Sequence, residues 1–197
     1  MTTSTATDLR QSILDVARHL LVTYGYEQLS MRKIAAEIGC SAMAIYVHFE
    51  NKDALVHVLI EEGMERMYGA LQGAAAREEE PQRQLDRVCR AFFEFALMNP
   101  EYYTVMHIVD STRLGRYPVE KYRRARRSLE LLDEILRAGH ARGQLLLVGD
   151  ALVGASVVWA MLHGAASLII SRRLDTGIDR GAFVEAHLSR ILASVQA

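Results

Sequence analysis

The sequence predicts an all-α fold of about nine helices. Three observations carry this expectation. Apolar residues recur at helical spacing along most of the chain, Ser, Asp and Asn caps with Gly or Pro stops punctuate that recurrence, and no run keeps the two-residue alternation of a half-buried strand. Length and composition agree with a folded chain. The 197 residues suit one large domain or two small ones, and 50% of them are apolar. That apolar content with a net charge of −1 excludes a wholly disordered chain. Three prolines against thirteen glycines exclude collagen-like or Pro-rich sequence.

The elements follow in order. Residues 1–7 carry no basic residue and no apolar core, so they read as a short disordered arm rather than a secretory leader. Ile13, Ala17, Leu20, Leu21 and Tyr24 form the stripe of a first helix from about Asp8, stopped by Gly25. Ser30 is the cap candidate of a short second helix bearing Ile34, Ala35 and Ile38 and ended by Gly39. Ser41 opens a third helix through about Val47. Asn51 caps a fourth, with Asp53 in the first turn, where a carboxylate complements the helix dipole. It carries Leu55, Val58, Leu59 and Met67 and runs to about Ala76.

After a polar break, Pro81 sits in the first turn of a fifth helix with Leu85, Val88, Phe92, Phe95 and Ala96 inward. Asn99-Pro100 ends it and starts a sixth. Residues 110–118 read as a loop, and Pro118 opens a long seventh helix to about Arg142, closed by Gly143. Asp150 caps an eighth helix without charges, and Asp179 caps a ninth containing Phe183, Val184, His187, Leu188 and Ile191.

The stretch 151–171 holds no Asp, Glu, Lys or Arg and reaches the roughly 20 residues that a membrane span needs. Gly154, Ser156, His163, Gly164 and Ser167 interrupt it, which fits a helix buried on several faces, so no membrane is expected. Cys40 and Cys89 cannot build a disulfide framework, which points to a reducing, cytoplasmic setting. Near-neutral charge excludes a protein that is basic all over. Binding to nucleic acid would have to use a local patch.

Residues 31–50 hold the sharpest local signal. Two short helices that cross steeply need a small residue where their backbones meet, a turn residue that tolerates positive φ, and an aliphatic residue that presses the second helix onto the first. Ala35, Gly39 and Ile45 supply these in order, with Ile34, Ile38 and Phe49 completing a miniature core. The pattern fits a helix-turn-helix whose second helix enters the DNA major groove; an ordinary helical hairpin is the alternative.

The run Tyr24-Gly25-Tyr26, Leu29 to Ala35, Gly39-Cys40-Ser41, Ile45-Tyr46-Val47-His48-Phe49 and Asn51 to Leu55 resembles the N-terminal domain of TetR-type transcriptional regulators. The resemblance implies a homodimeric repressor on a palindromic double-stranded operator, released when its C-terminal domain takes up a small-molecule effector. It implies a helix-turn-helix domain over residues 8–52 and a ligand-binding and dimerisation domain over 53–197. Tyr46, His48 and Lys52 match positions that commonly hold phosphates, and Ser30 and Met31 match a helix start where a hydroxyl and backbone amides meet phosphate. Arg32 matches a position that reaches a base or the backbone. Simple solvation of Lys52, a core-capping role for Tyr46 and an ordinary surface role for His48 are the competing readings.

The reader start departs from many relatives. Ala42-Met43-Ala44 offers no charged or amide side chain. Direct readout is therefore expected to be sparse, resting on Arg32, Ser41, Tyr46 and thymine-methyl contacts, with DNA shape supplying the rest. A second basic cluster, Lys121, Arg123, Arg124, Arg126 and Arg127, spreads around its helix and is flanked by Glu120 and Glu130, which reads as a solvated surface.

The fifth and sixth helices are rich in Met and aromatic groups. With Met67, the residues Phe92, Phe95, Tyr102, Tyr103, Met106 and His107 could line a cavity for a largely apolar or aromatic ligand, or simply form a core. Trp159 and His163 share one helix face and could wall the ligand cavity, a buried histidine satisfied by a backbone carbonyl being the alternative, and Trp-x-x-x-His-Gly resembles a TetR subgroup named for a Trp-His-Gly motif. Gly154, Ala155, Gly164, Ala165 and Ala166 would admit a close helix and suggest a symmetric four-helix dimer interface. No nucleophile elbow, phosphate loop or metal-ligand spacing appears, so no enzyme, cofactor or metal is expected. His57 and Glu61 read as an isolated surface pair. The competing functions are a ligand-independent architectural or division-associated DNA binder and a helical enzyme on a regulator scaffold.

Overall fold

The computed structural model describes residues 3–107, 119–147 and 149–196, with side chains at 8–107, 126–147 and 149–196. Among the described residues the chain forms α1 (Thr3–Tyr24), a 3₁₀ turn (Tyr26–Gln28), α2 (Met31–Ile38), α3 (Ala42–Tyr46), α4 (Lys52–Ala75), α5 (Pro81–Met98), α6 (Pro100–His107), α7 (Val119–Ala141), α8 (Ala151–Ile170) and α9 (Arg180–Ser194). Extended pairing among them is confined to an isolated bridge between Leu145 and Gln196. The expected loop at 110–118 lies outside the described residues.

The caps do what their chemistry requires. Ser30 Oγ accepts from the Lys33 amide at 3.2 Å and Ser41 Oγ from Ala44 at 3.2 Å. Asn51 accepts from Ala54 at 2.8 Å, Asp150 from Leu152 at 2.8 Å and Asp179 from Ala182 at 2.9 Å. Each satisfies an amide that has no partner inside its helix. Helix α1 starts at Thr3, where a disordered arm was expected. No Gly or Pro lies between Thr3 and Asp8, and extending an existing helix needs no new nucleus.

The helices group into two compact units: Met1–Met64 with Glu101–Tyr122, and Glu65–Pro100 with Arg123–Ala197. In the first, Ile13, Leu14, Leu21, Ile34, Ile45 and Leu59 build one core, joined by Val105 of α6. This grouping by packing differs from a cut at residue 52, because Leu55, Val56, Leu59 and Ile60 of α4 belong to the same core. In the second, α5 packs on α8 and α9, which also pack on each other.

Two sequence expectations need correction. Tyr24 is 59% exposed because α1 ends there. His57 is only 8% exposed, so the His57–Glu61 pair is not a surface contact; the buried stripe of α4 is wide enough to take in a polar ring between Val56 and Leu59.

Candidate nucleic-acid interface

The turn between α2 and α3 is built on Gly39, whose φ of 80° lies in the left-handed region. The Gly39 and Cys40 amides both donate to the Ala35 carbonyl at 3.0 Å. Ala35 is buried beside Ile34, and Ile45 of α3 is fully buried in the same core. Phe49 closes the cluster, with the Arg10 guanidinium 5.3 Å from its ring centroid. Ile38 is partly buried against it. The hairpin therefore anchors α3 through Ile45 and leaves Met43 and Tyr46 exposed.

The expected reader side chains are spread over α2, α3 with its cap and the start of α4. Arg32 and Ser41 are exposed, as are Met43 (72%) and Tyr46 (50%). Ser30, Ala42, Ala44, His48 and Lys52 are half-buried. Met31 is different: its side chain is in the core, so only its first-turn amide is available for a phosphate. Tyr46 does not cap the domain core. Val47, 77% exposed, was not singled out from sequence, although its position four residues after Met43 puts both on one helix face.

Lys52 is held by Tyr26. Its ammonium donates to the Tyr26 carbonyl at 3.1 Å and stands 3.8 Å from the Tyr26 ring centroid. The same carbonyl receives the Leu29 amide at 3.2 Å, and the Tyr26 hydroxyl donates to Asp53. Burial and that carboxylate push the Tyr26 phenol up to about 12. One residue thus ties the approach to α2 to the start of α4. Nothing in the sequence marks Tyr26 for this role, because the contact joins residues far apart in the chain.

The expected ligand-lining residues fall into two sets. In the second unit, Phe92 is fully buried and meets the half-buried Trp159 and His163 at ring-centroid distances of 5.3 Å and 4.9 Å. Trp159 and His163 stand 4.6 Å apart. Burial lowers the His163 pKa to about 4. Met67 is buried on α4, and Phe95 borders a surface groove of about 450 Å³ with Gly69, Gly73, Ala91 and Met98.

In the first unit, Tyr102 accepts from Arg18 at 2.7 Å and lies 4.3 Å beneath its guanidinium. Tyr103 is buried, its phenol raised to about 12 by that burial, and its ring stands 5.1 Å from His107. Gly63 lets α6 approach α4: a Cβ there would sit 2.5 Å from Met106 Sδ.

Helix α8 is long and apolar enough to cross a membrane by composition alone. One side, with Ala155, Val158, Leu162 and Ala166, is buried in its own unit. The other side exposes Val153 (60%), Val157 (53%), Ala160, Gly164 and Leu168 (41%). Of the small residues expected to admit a partner helix, Gly164 is on this open face. Ala155, Ala165 and Ala166 face inward, and a Cβ on Gly154 would lie 3.3 Å from Leu147 of the same unit.

Of the second basic cluster, Lys121, Arg123 and Arg124 have no described side chains. Arg127 pairs with Glu65 at 2.7 Å and 2.9 Å and stacks 3.8 Å from the Tyr68 centroid. Among the described residues no three His, Cys, Asp or Glu side chains gather as a metal-ligand group.

Residues 13–59 match the family model for bacterial regulatory proteins of the tetR family. Residues 85–191, more than half of the chain, match the tetracyclin repressor-like C-terminal domain. An HTH-type transcriptional repressor of Mycobacterium tuberculosis is 45% identical over 58 residues, covering 29% of this chain and 31% of that one. A nucleoid occlusion factor of Mannheimia succiniciproducens is 28% identical over 92 residues, covering 46% and 43%. The chain thus spans less than half the length of these curated relatives. A solved protein of unknown function from Rhodococcus sp. RHA1 superposes with a TM-score of 0.80 at 27% identity, over 96% of each chain. With a helix-turn-helix core and both domain models matched, the chain belongs to the TetR family of DNA-binding transcriptional regulators.

Proposed function

We propose that the protein is a homodimeric repressor that binds a palindromic operator and leaves it when a small, largely apolar or aromatic effector binds. The observation that carries this is the reader face. Capped, core-anchored α2 and α3 present Ser30, Arg32, Ser41, Met43, Ala44 and Tyr46, with His48 and the clamped Lys52 beside them. Hydroxyls, main-chain amides, an imidazole and an ammonium are suited to phosphate oxygens, and an arginine fork is suited to guanine.

The open apolar face of α8 supports dimerisation, since two copies related by a two-fold would cover it with each other. On α9, Ala182, Ala186, Ser189 and Ala193 are exposed at matching helical spacing and would complete a four-helix interface. The aromatic group of Phe92, Trp159 and His163, with Met67 and Phe95 in the same unit, supports an apolar or aromatic effector. Helix α4 is continuous from Lys52 to Ala75 and contributes to both units. A ligand that favours one position of α4 would therefore change operator affinity by its preference for that state.

The likeness to a nucleoid occlusion factor favours a second reading, a division-associated DNA binder that needs no effector. The two differ in whether any small molecule shifts operator affinity.

Lys52 gives a direct test of the DNA contact. Each phosphate contact contributes about 0.9 to the slope of log affinity against log salt. Lys52→Ala is expected to flatten that slope by about 2 for a dimer. Tyr26→Leu should flatten it partly in the wild-type background and not at all in the Lys52→Ala background. An unchanged slope in Lys52→Ala would remove Lys52 from the interface. Equal effects of Tyr26→Leu in both backgrounds would show that Tyr26 does not act through Lys52.

A further inference from the structure

We propose that α3 selects DNA by the C5-methyl groups of the major groove, through Met43 and Val47, rather than by a pattern of donors and acceptors. This rests on the DNA-reading function above and names what is read. Met43 is 72% exposed and Val47 is 77% exposed. Val47 keeps helical geometry (φ −64°, ψ −30°) and its amide donates to the Met43 carbonyl at 3.2 Å, so the two side chains stand one turn apart on one face. Scattered exposed apolar side chains mean little. Two on the outward face of a recognition helix mean more, because that face is built to be covered by a groove.

The polar inventory of this face is short. The segment Ala42–Tyr46 has no charged or amide side chain. Ser41 Oγ already accepts from the Ala44 amide, which leaves it its donor and one lone pair, and Tyr46 adds a second hydroxyl. Neither matches the bidentate forks that tell G·C from A·T. The apolar group on the major-groove edge is the C5-methyl, carried by thymine and equally by 5-methylcytosine. Side chains one helical turn apart, about 5 Å, span one or two base-pair steps of about 3.4 Å. Met43 and Val47 therefore address two methyl positions one or two base pairs apart in each half-site. Such contacts sense the methyl and not the base that carries it, so methylation of cytosine at those positions should strengthen binding.

The test uses the full-length protein and the duplex it selects from a random library, at fixed salt. Each reader position of the half-site is presented in turn as T·A, U·A, 5-methylcytosine·G and C·G. Affinity is expected to sort by methyl: T equal to 5-methylcytosine, and U equal to C. Burying one methyl is worth about fourfold, so symmetric loss from both half-sites should cost about 15-fold. Val47→Ala and Met43→Ala should each erase the methyl preference at one position of the half-site and leave the preference at the other position in place. Both residues are exposed, so folding is not at stake. Affinity that sorts by base pair regardless of methyl, variants that keep the wild-type preference, or a selected half-site without thymine at the reader positions would each overturn the proposal while leaving the DNA-reading function intact. Absence of sequence-selective binding to any duplex would overturn both.

Discussion

Val157→Asp is expected to convert the protein to a folded monomer and to weaken operator binding by at least about 100-fold, the scale on which linked half-sites reinforce each other. Val157 is 53% exposed and lies between Val153 and Ala160 on the open face of α8. In a monomer the new carboxylate would remain in water and cost little. In a symmetric dimer it would face the same apolar surface of the partner, near a second copy of itself, and burying unpaired charge costs several kcal/mol. The measurement is solution mass by light scattering with operator titration on the same sample. Gln72→Asp, on an exposed position of α4, is the control for added charge. A Val157→Asp protein that stays dimeric would place the interface elsewhere.

Acid is expected to destabilise the second unit through His163. The ring packs between Phe92 and Trp159, and burial lowers its pKa to about 4 from the usual 6.5. The sign follows from the order of the two values. The unfolded chain takes up a proton near pH 6.5 and the folded one only near 4, so stability is full above about 6.5 and falls as pH drops towards 4. The loss approaches about 3 kcal/mol at the lower end, since a tenfold change in proton affinity between the two states corresponds to about 1.4 kcal/mol. Urea unfolding at pH 7, 5.5 and 4 measures it. His163→Phe should keep the aromatic packing and flatten the pH profile. An equal fall in the variant would assign the acid sensitivity to other groups.

Much of the fold was legible because it is written locally. Ser30, Ser41, Asn51, Asp150 and Asp179 cap helices through residues two or three positions ahead, and Gly39 turns the chain where only its own φ matters. The helix-turn-helix could be located for the same reason, since Ala35, Gly39 and Ile45 have fixed offsets. What escaped depends on distance or on direction. The Tyr26 clamp on Lys52 joins two segments that only the fold brings together. In α8 nearly every position is apolar, so periodicity could not say which face turns inward. That is why Ala155, Ala165 and Ala166 were expected at a partner interface and are in the core instead. His57 escaped because a polar residue at a helical position reads as solvent-facing until its neighbours are known.

Selection of bound duplexes from a random DNA library by the full-length protein tests the central claim most directly. A dimer with two α3 readers predicts a two-fold symmetric site, its half-sites about one helical turn apart or slightly more. Recovery of unrelated duplexes, or of a single half-site with no symmetric counterpart, would contradict it.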